Sequence, residues 1–186
     1  MKTLMISGYK AHELGLFKSS DPAVGIIKKA IRQRLTALIE EGLEWVIVSG
    51  GLGVEQWAAE VVIQLKEEYP ELQLAVITPF LNQEENWNEE NQMNYETILK
   101  GADFTASVSN KPYTDPSQFR NRDDFLLGKA DGLLIIYDEE KEGSPGFLIK
   151  KAKNFAEKNN LEIIRVDFQD LQWIADEEAL NESEPD

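Results

Sequence analysis

A glycine-rich turn between an apolar run and a helical repeat offers the clearest chemistry in the sequence. Its glycines are Gly50, Gly51 and Gly53. Glycine accepts positive φ and lets a ligand approach the backbone closely, and free N–H groups at a helix N-terminus favour an anion. We expect these glycines to present N–H groups to a phosphate, so that Gly53→Ala weakens binding and leaves the fold largely intact. The alternative is an ordinary tight turn without a ligand.

Glu55 stands in the first turn of the helix that follows these glycines. A carboxylate in this position stabilises a helix through its dipole, and it also accepts hydrogen bonds from ribose hydroxyls or a base. The turn lacks the lysine and the serine or threonine of a P-loop, and Glu55 stands where a dinucleotide-binding turn has its third glycine. Both roles stay open, and Glu55 is included among the candidate ligand-binding residues.

Two arginines flank an asparagine in the segment 119–123, which follows a long loop. Guanidinium groups pair well with phosphate oxygens, and the protein as a whole is acidic. Arg120 is therefore expected to neutralise phosphate charge, with Asn121 beside the same ligand. The alternative is that the arginines form ion pairs with Asp123, Asp124 or a neighbouring helix.

Two further turns complete the candidate ligand-binding set. One ends the first apolar run and the other opens a helix; their residues are Ser7, Gly8, Tyr9, Gly143, Ser144 and Gly146. Tyr9 either stacks on a base or covers the edge of the core. Ser144 either caps the helix, or the N–H groups beside it bind a second phosphate or a ribose.

Apolar runs alternate with helical periodicity over most of the chain. Strands covered on both faces are predicted at residues 3–7, 45–49, 72–78, 104–109, 132–137 and 162–166. Helices are predicted from Pro22 to just before Gly42, through residues 54–65, 88–100 and 118–130, from Pro145 onward and, as a short turn, at 171–175. Trp57 lies on the apolar stripe of the second helix, which favours packing.

The loops that follow strands are longer than the loops that follow helices. They cover residues 8–20, 79–87, 110–117 and 138–144. In a parallel sheet these loops meet at the carboxyl edge of the strands, where such folds bind ligands. The expected fold is an α/β, Rossmann-like three-layer sandwich with a mainly parallel sheet of about six strands, and this edge is its expected binding site.

Composition excludes several kinds of site. The chain contains no cysteine, which removes disulfides, thiol catalysis and thiolate metal sites. No metal-ligand spacing is present, and no serine stands in a nucleophile pattern. His12, the single histidine, lies in the first long loop and is expected to be a surface residue. A net charge of −15 repels nucleic-acid phosphates, so nucleic acid is not an expected partner.

The length suits a single domain. We expect the domain to cover residues 1–175, followed by an acidic, disordered tail at 176–186 that contains no basic residue. The longest apolar run near the N-terminus, residues 4–6, is too short for a signal peptide or a membrane span. These features predict a cytoplasmic protein that is not inserted in a membrane.

With these residues in place, the chain resembles the YpsA family, within the SLOG superfamily of Rossmann-like nucleotide-sensing domains. The resemblance is carried in order along the chain by residues 6–9, 49–57, 119–123 and 143–146. It implies a Rossmann-like fold that binds a nucleotide or an ADP-ribose-like ligand at these turns. It also suggests a role connected with cell division in Gram-positive bacteria.

Two relatives in that superfamily imply competing functions. The LOG group hydrolyses the N-glycosidic bond of nucleoside monophosphates, but its motif threonine and catalytic glutamate correspond here to Phe147 and Lys150. Loss of that carboxylate removes the stabiliser of developing positive charge on the ribose. DprA-type proteins bind single-stranded DNA, which needs a basic groove with stacking aromatic residues and does not fit an acidic chain.

The expected function is therefore a non-enzymatic, regulatory or sensory protein that binds a nucleotide- or ADP-ribose-like ligand. No obligatory cofactor, catalytic residue or metal is expected. One alternative is a nucleotide N-glycosidase or phosphoribohydrolase-like enzyme that uses Glu55; another is a protein-interaction module with a vestigial pocket. A homo-oligomer and a cell-division protein partner are further hypotheses that the sequence leaves open.

Overall fold

The computed structural model describes residues 1–184. Within them the strands are β1 Thr3–Gly8, β2 Trp45–Val48, β3 Gln73–Thr78, β4 Phe104–Ser107, β5 Gly132–Ile136 and β6 Glu162–Val166. The helices are α1 Ala11–Leu14, α2 Pro22–Glu40, α3 Val54–Glu68, α4 Glu89–Gly101, α5 Ser117–Lys129, α6 Pro145–Ala156 and α7 Phe168–Ser183. The predicted strands are all present, with ends that differ by at most two residues.

The strands form a six-stranded sheet in the order β4-β3-β2-β1-β5-β6, and every neighbouring pair is parallel. In the centre, Met5 of β1 is opposite Ile47 on one side and Leu133 on the other. Buried parallel strands explain why these segments read as continuous apolar runs and not as alternating ones.

Alternate residues of the strands pack against different helix layers. Leu4 and Ile6 belong to a core shared with α2, α3 and α7, whereas Met5 belongs to a second core shared with α5 and α6. Successive side chains of a strand point to opposite faces, so the sheet lies between two helical layers. The predicted Rossmann-like three-layer α/β sandwich is confirmed.

The main helices begin and end where the sequence signals stand. The Asp21 carboxylate accepts a hydrogen bond from the Ala23 N–H at 2.9 Å, and Gly42, just beyond α2, has φ +103°. An aspartate N-cap and a glycine just beyond the C-terminus are typical helix boundaries. In α3 the expected apolar stripe is buried, including Trp57 at 7% exposure.

The C-terminal segment differs from the prediction. Residues 176–183 were expected in a disordered tail, but they continue the helix α7, which was predicted only as a short turn. Asp167 and Asp170 form a reciprocal capping box at its start. Its inner face packs on the core through Phe168, Leu171 and Ile174. Pro185 and Asp186 of the expected tail lie outside the described residues.

A short helix, α1, lies inside the long loop after β1, where no helix was predicted. The Glu13 carboxylate accepts a hydrogen bond from the Lys10 N–H at 2.8 Å, and Gly15 ends the helix with φ +66°. Because α1 is only four residues long, its sequence is too short to show helical periodicity.

The sheet order places a switch point at β1. This strand lies between β2 and β5, so the chain leaves β1 toward one side of the sheet and leaves β5 toward the other. Such a point leaves a crevice outside the carboxyl ends of the strands. The loops after β1, β2 and β5 meet at this crevice.

Candidate functional site

A cavity of about 900 Å³ opens at the carboxyl ends of β1 and β2. Its walls come from the loops after β1, β2, β3 and β5 and from the first turns of α5 and α6. The lining includes Ser7, Lys10, Gly51, Glu55, Phe119, Arg120 and Lys151. The cavity lies at the edge that the loop lengths predicted.

The glycine turn is shaped by backbone contacts with the segment that follows β1. Gly53 has φ +116°, and a Cβ built on it would lie 2.5 Å from the Ala11 backbone N and 2.6 Å from the Tyr9 carbonyl O. The Ala11 N–H donates to the Leu52 carbonyl at 3.2 Å, and the Val54 N–H donates to the Tyr9 carbonyl at 3.1 Å. Because Gly53 has no side chain, the backbone of residues 9–11 can pack directly against the glycine turn. The expectation that Gly53→Ala leaves the fold intact is wrong for this reason.

The Glu55 carboxylate is hydrogen-bonded to the glycine turn that precedes it. Its Oε2 accepts a hydrogen bond from the Gly51 N–H at 2.8 Å, and its Oε1 accepts one from the Ser7 hydroxyl at 3.3 Å. The carboxylate therefore occupies a backbone donor that was expected to bind phosphate. We call Ser7, Gly51 and Glu55, which all line the cavity, the carboxylate floor.

The N-terminus of α6 also binds a carboxylate of the protein itself, that of Glu13 in α1. Glu13 Oε2 accepts from the Ser144 N–H at 2.7 Å, and Glu13 Oε1 accepts from the Ser144 hydroxyl at 2.6 Å. Partial burial acts to raise the pKa of the Glu13 carboxyl, but the hydrogen bonds from Ser144 and the Lys10 N–H outweigh it and hold the pKa below its ordinary value. The Ser144 hydroxyl does not cap its own helix; it binds α1.

The two arginines of the α5 segment have different surroundings. Arg122 donates to the Ser49 hydroxyl at 3.1 Å and forms an ion pair with Asp123 at 2.9 Å, as the alternative interpretation proposed. Arg120 lines the cavity and forms no ion pair within residues 1–184. Asn121 is exposed and does not line the cavity.

A second set of cavity residues carries positive charge around an aromatic ring. The Lys10 Nζ lies 5.6 Å from the centroid of the Phe119 ring, a cation–π distance. The Lys151 Nζ donates to the Arg120 carbonyl at 3.3 Å and pairs with Asp124 at 2.9 Å. We call Lys10, Phe119, Arg120 and Lys151 the cationic wall. Sequence reasoning placed neither lysine in the site.

Only some of the candidate ligand-binding residues line the cavity. Gly8 and Tyr9 line the cavity, as do Ser7, Gly51, Glu55, Arg120 and Ser144; Gly50, Gly53, Asn121, Gly143 and Gly146 do not. The Tyr9 side chain is 0% exposed, and its hydroxyl contacts the Asp138 and Lys141 backbone. Tyr9 therefore covers the core, and no ring face is left for a base.

Other glycines of the set allow close packing. A Cβ on Gly143 would lie 2.5 Å from Glu13 Oε2, and one on Gly8 would lie 2.8 Å from the Val54 side chain. Gly50 has φ +80°, and its Cβ would meet the Tyr95 ring at 3.0 Å. These distances explain why the turns need glycine even where no ligand approaches.

Aromatic residues from two loops close one side of the cavity. Phe80 contacts Tyr113 and Phe119, with ring centroids 5.3 and 5.4 Å away. Phe80 and Trp87 line the cavity, and Phe147, which lines it as well, is 82% exposed. Phe80 and Trp87 therefore supply apolar surface to the cavity.

Within residues 1–184, no group of histidine and acidic side chains has the arrangement of a metal site. No helix in the same part of the chain has the length and apolar character that crossing a membrane requires. His12 lines the cavity and also a neighbouring groove beside α4.

Comparison with known proteins identifies the family. The model of the YspA SLOG family, named YpsA, matches residues 4–171. The chain belongs to the YpsA family. It is 53% identical to a UPF0398 protein of Brevibacillus brevis over 96% of this chain and 95% of the relative. It is 51% identical to one of Bacillus licheniformis, over 95% of this chain and 97% of the relative.

In this YpsA-family chain, two residues at the second turn correspond to the motif threonine and glutamate of the LOG group, and they lie in different surroundings. Phe147 lines the cavity, whereas Lys150 is exposed on α6 and does not line it. Two carboxylates line the cavity, Glu55 of the first turn and Asp123 of α5, and neither comes from the second turn. The two internal glutamate contacts, at Gly51 and Ser144, are the main features of the site that sequence reasoning missed.

Proposed function

We propose that the protein binds a phosphate-bearing, nucleotide- or ADP-ribose-like ligand in the cavity at the sheet edge, and that it acts as a regulatory or sensory protein. The observation that carries this proposal is the cationic wall. Lys10 and Arg120, which form no ion pair within the described chain, line a cavity of about 900 Å³ in a protein of net charge −15. Unpaired cations in a concave site favour an anionic ligand.

The aromatic and apolar surfaces support a ligand with a ring. Phe80, Trp87, Phe119 and Phe147 line the same cavity as the cations. Ligand sites are largely apolar, with a few polar groups that fix the orientation of the ligand. A nucleotide combines a flat base, a sugar and phosphate groups, and so matches all three kinds of lining residue.

The position of Glu55 supports binding without bond cleavage. Both of its oxygens already accept hydrogen bonds, from Gly51 and Ser7. A carboxylate held in this way is fixed by the fold and serves as a hydrogen-bond acceptor. The family resemblance adds the proposal that the protein acts in the cytoplasm in a role connected with bacterial cell division.

Thermal unfolding with AMP, NAD and ADP-ribose tests the proposal. A ligand present at 100 times its dissociation constant adds about 2.7 kcal/mol to the stability of the folded state, so one of the three is expected to raise Tm clearly. Lys10→Gln combined with Arg120→Gln is expected to remove the shift, and Lys129→Gln, on the outer side of α5, is the matched control. Absence of a shift with all three compounds contradicts the proposal.

Product analysis of the same mixtures separates a sensor from an enzyme. The proposal predicts that each compound is recovered intact after incubation. Release of a free base that stops in Glu55→Gln would instead establish a nucleotide N-glycosidase.

A further inference from the structure

We infer that the cavity orients its ligand in the opposite way to the one that the glycine turns suggest. The phosphate groups bind on the cationic wall, and sugar hydroxyls bind on the carboxylate floor. This inference rests on the proposed function, because it describes how the same cavity holds a phosphorylated sugar.

Two N–H groups of the glycine turn already donate to acceptors within the protein. The Gly51 N–H donates to Glu55 at 2.8 Å, and the Val54 N–H donates to the Tyr9 carbonyl at 3.1 Å. A phosphate placed against Gly51 would displace the Glu55 carboxylate and would still lie close to its negative charge. Like charges at such a distance repel, and water screens them less inside a cavity.

The N–H groups of the second glycine turn, at the start of α6, also donate to acceptors within the protein. The Ser144 N–H and hydroxyl both donate to Glu13, at 2.7 and 2.6 Å. The next two N–H groups, of Gly146 and Phe147, donate to the carbonyls of Gly143 and Ser144 at 3.1 and 3.3 Å. The positive end of α6 is therefore balanced by an acidic side chain of the protein itself.

The cationic wall has the opposite character. Arg120 and Lys10 form no ion pair within residues 1–184. Lys151 adds a third cation, although Asp124 pairs with it at 2.9 Å. The pKa of the nearby Asp115 carboxyl is lowered mainly by hydrogen bonds from Ser117 and to a smaller extent by the charge of Arg120. The wall therefore keeps free donors for phosphate oxygens.

The carboxylate floor needs hydrogen-bond donors from the ligand. A carboxylate only accepts hydrogen bonds, and Glu55 lines the cavity beside Ser7. Vicinal hydroxyl groups of a furanose are such donors. The ligand class is thus a sugar phosphate or nucleotide with a free diol at one end and its phosphate groups at the other.

Titration with inorganic pyrophosphate tests the phosphate end without a sugar. Arg120→Gln is expected to weaken pyrophosphate binding roughly tenfold, whereas Lys129→Gln, which removes a cation elsewhere on α5, leaves it unchanged. Glu55→Gln and its control Glu67→Gln, also on α3, are expected to change it by less than about threefold. Pyrophosphate binding that is insensitive to Arg120→Gln but tightens strongly in Glu55→Gln would place the anion on the glycine turn and overturn the inference.

Titration with AMP and 2′-deoxy-AMP tests the hydroxyl end. The full-length protein is expected to prefer AMP, and Glu55→Gln is expected to lose most of that preference. Ser7→Ala is a milder second change to the floor that keeps the Gly51 contact, and it is expected to reduce the preference partly. An unchanged preference in both variants would overturn the inference.

Different results would contradict the proposed nucleotide-binding function and the proposed orientation of the ligand. If pyrophosphate binds in an Arg120-dependent way while AMP, NAD and ADP-ribose do not bind, the nucleotide function is wrong and the phosphate position is right. If a nucleotide binds with equal affinity to the wild type and to Arg120→Gln, the function stands and the orientation is wrong.

Discussion

The carboxylate floor and the cationic wall line one cavity but use their polar groups differently. On the floor, the Gly51 N–H and the Ser7 hydroxyl already donate to Glu55. On the wall, Lys10 and Arg120 form no ion pair with a carboxylate of the described chain. A polar group binds a ligand only with the hydrogen-bonding capacity that the fold leaves unused. The comparison shows that a motif rich in donors is not the same as a site with free donors.

The largest expected effect comes from Gly53, which shapes the floor. Gly53→Ala should lower the free energy of unfolding by about 3 kcal/mol, because the residue has positive φ and its Cβ would overlap the Tyr9 and Ala11 backbone. Urea denaturation measures the change. Gly25→Ala in α2, where a Cβ meets nothing within 4 Å, should instead stabilise the protein by about 0.5–1 kcal/mol. Equal stability of the Gly53 variant and the wild type would show that the turn is not held as described.

Glu13→Gln should have the next largest effect, since it weakens three hydrogen bonds to Ser144 and Lys10. We expect a loss of about 2 kcal/mol at pH 7, against no change in the exposed control Glu71→Gln. The folded pKa of Glu13 lies below the ordinary value of 4.5. The contribution of Glu13 to the free energy of unfolding is therefore complete above that value and is lost as the pH falls through the folded pKa.

Denaturation from pH 7 to pH 3 measures this loss. The difference in the free energy of unfolding between variant and wild type should become smaller as the pH falls; a constant difference contradicts the role of the ionised carboxylate.

The two arginines give a sharper test of the wall. Arg122→Gln should cost about 1 kcal/mol of stability, because it leaves Asp123, whose side chain is 15% exposed, without its cation. Arg120→Gln should change stability by less than about 0.5 kcal/mol and should act on anion binding instead. Parallel denaturation and pyrophosphate titration separate the two effects. A stability loss in Arg120→Gln equal to that in Arg122→Gln would make both residues structural.

Lys151→Gln should have the smallest effect on the wall. Asp124 already offsets the lysine charge in a partly exposed ion pair, and such pairs contribute little. Pyrophosphate affinity should fall by about two- to threefold, clearly less than in Arg120→Gln. A larger loss than in Arg120→Gln would shift the centre of the anion site from α5 to α6.

The sequence predicted the architecture well because the strands and most helices have local signals. Buried strands such as residues 132–136 are continuous apolar runs, and Asp21 and Gly42 mark the ends of α2. The site edge also followed from the loop lengths. Helix α7 was predicted only as a short turn at 171–175, because its many acidic residues obscured the apolar spacing of Phe168, Leu171 and Ile174.

The chemistry of the site was harder to predict because it depends on contacts between distant segments. Glu13 and Ser144 are 131 residues apart in the sequence, so no local pattern indicates that one occupies the helix end of the other. The lysines of the wall are single charged residues without a motif. Glu55 was recognised as a candidate, but its return to the Gly51 N–H requires the turn geometry.

The most direct test of the account is the electron density of ADP-ribose in crystals of the protein. We expect the diphosphate within hydrogen-bond distance of Arg120 and Lys10, the ribose hydroxyls on Glu55, and the Glu55–Gly51 hydrogen bond intact. A diphosphate bound to the Gly51 N–H, with Glu55 turned away, would contradict it.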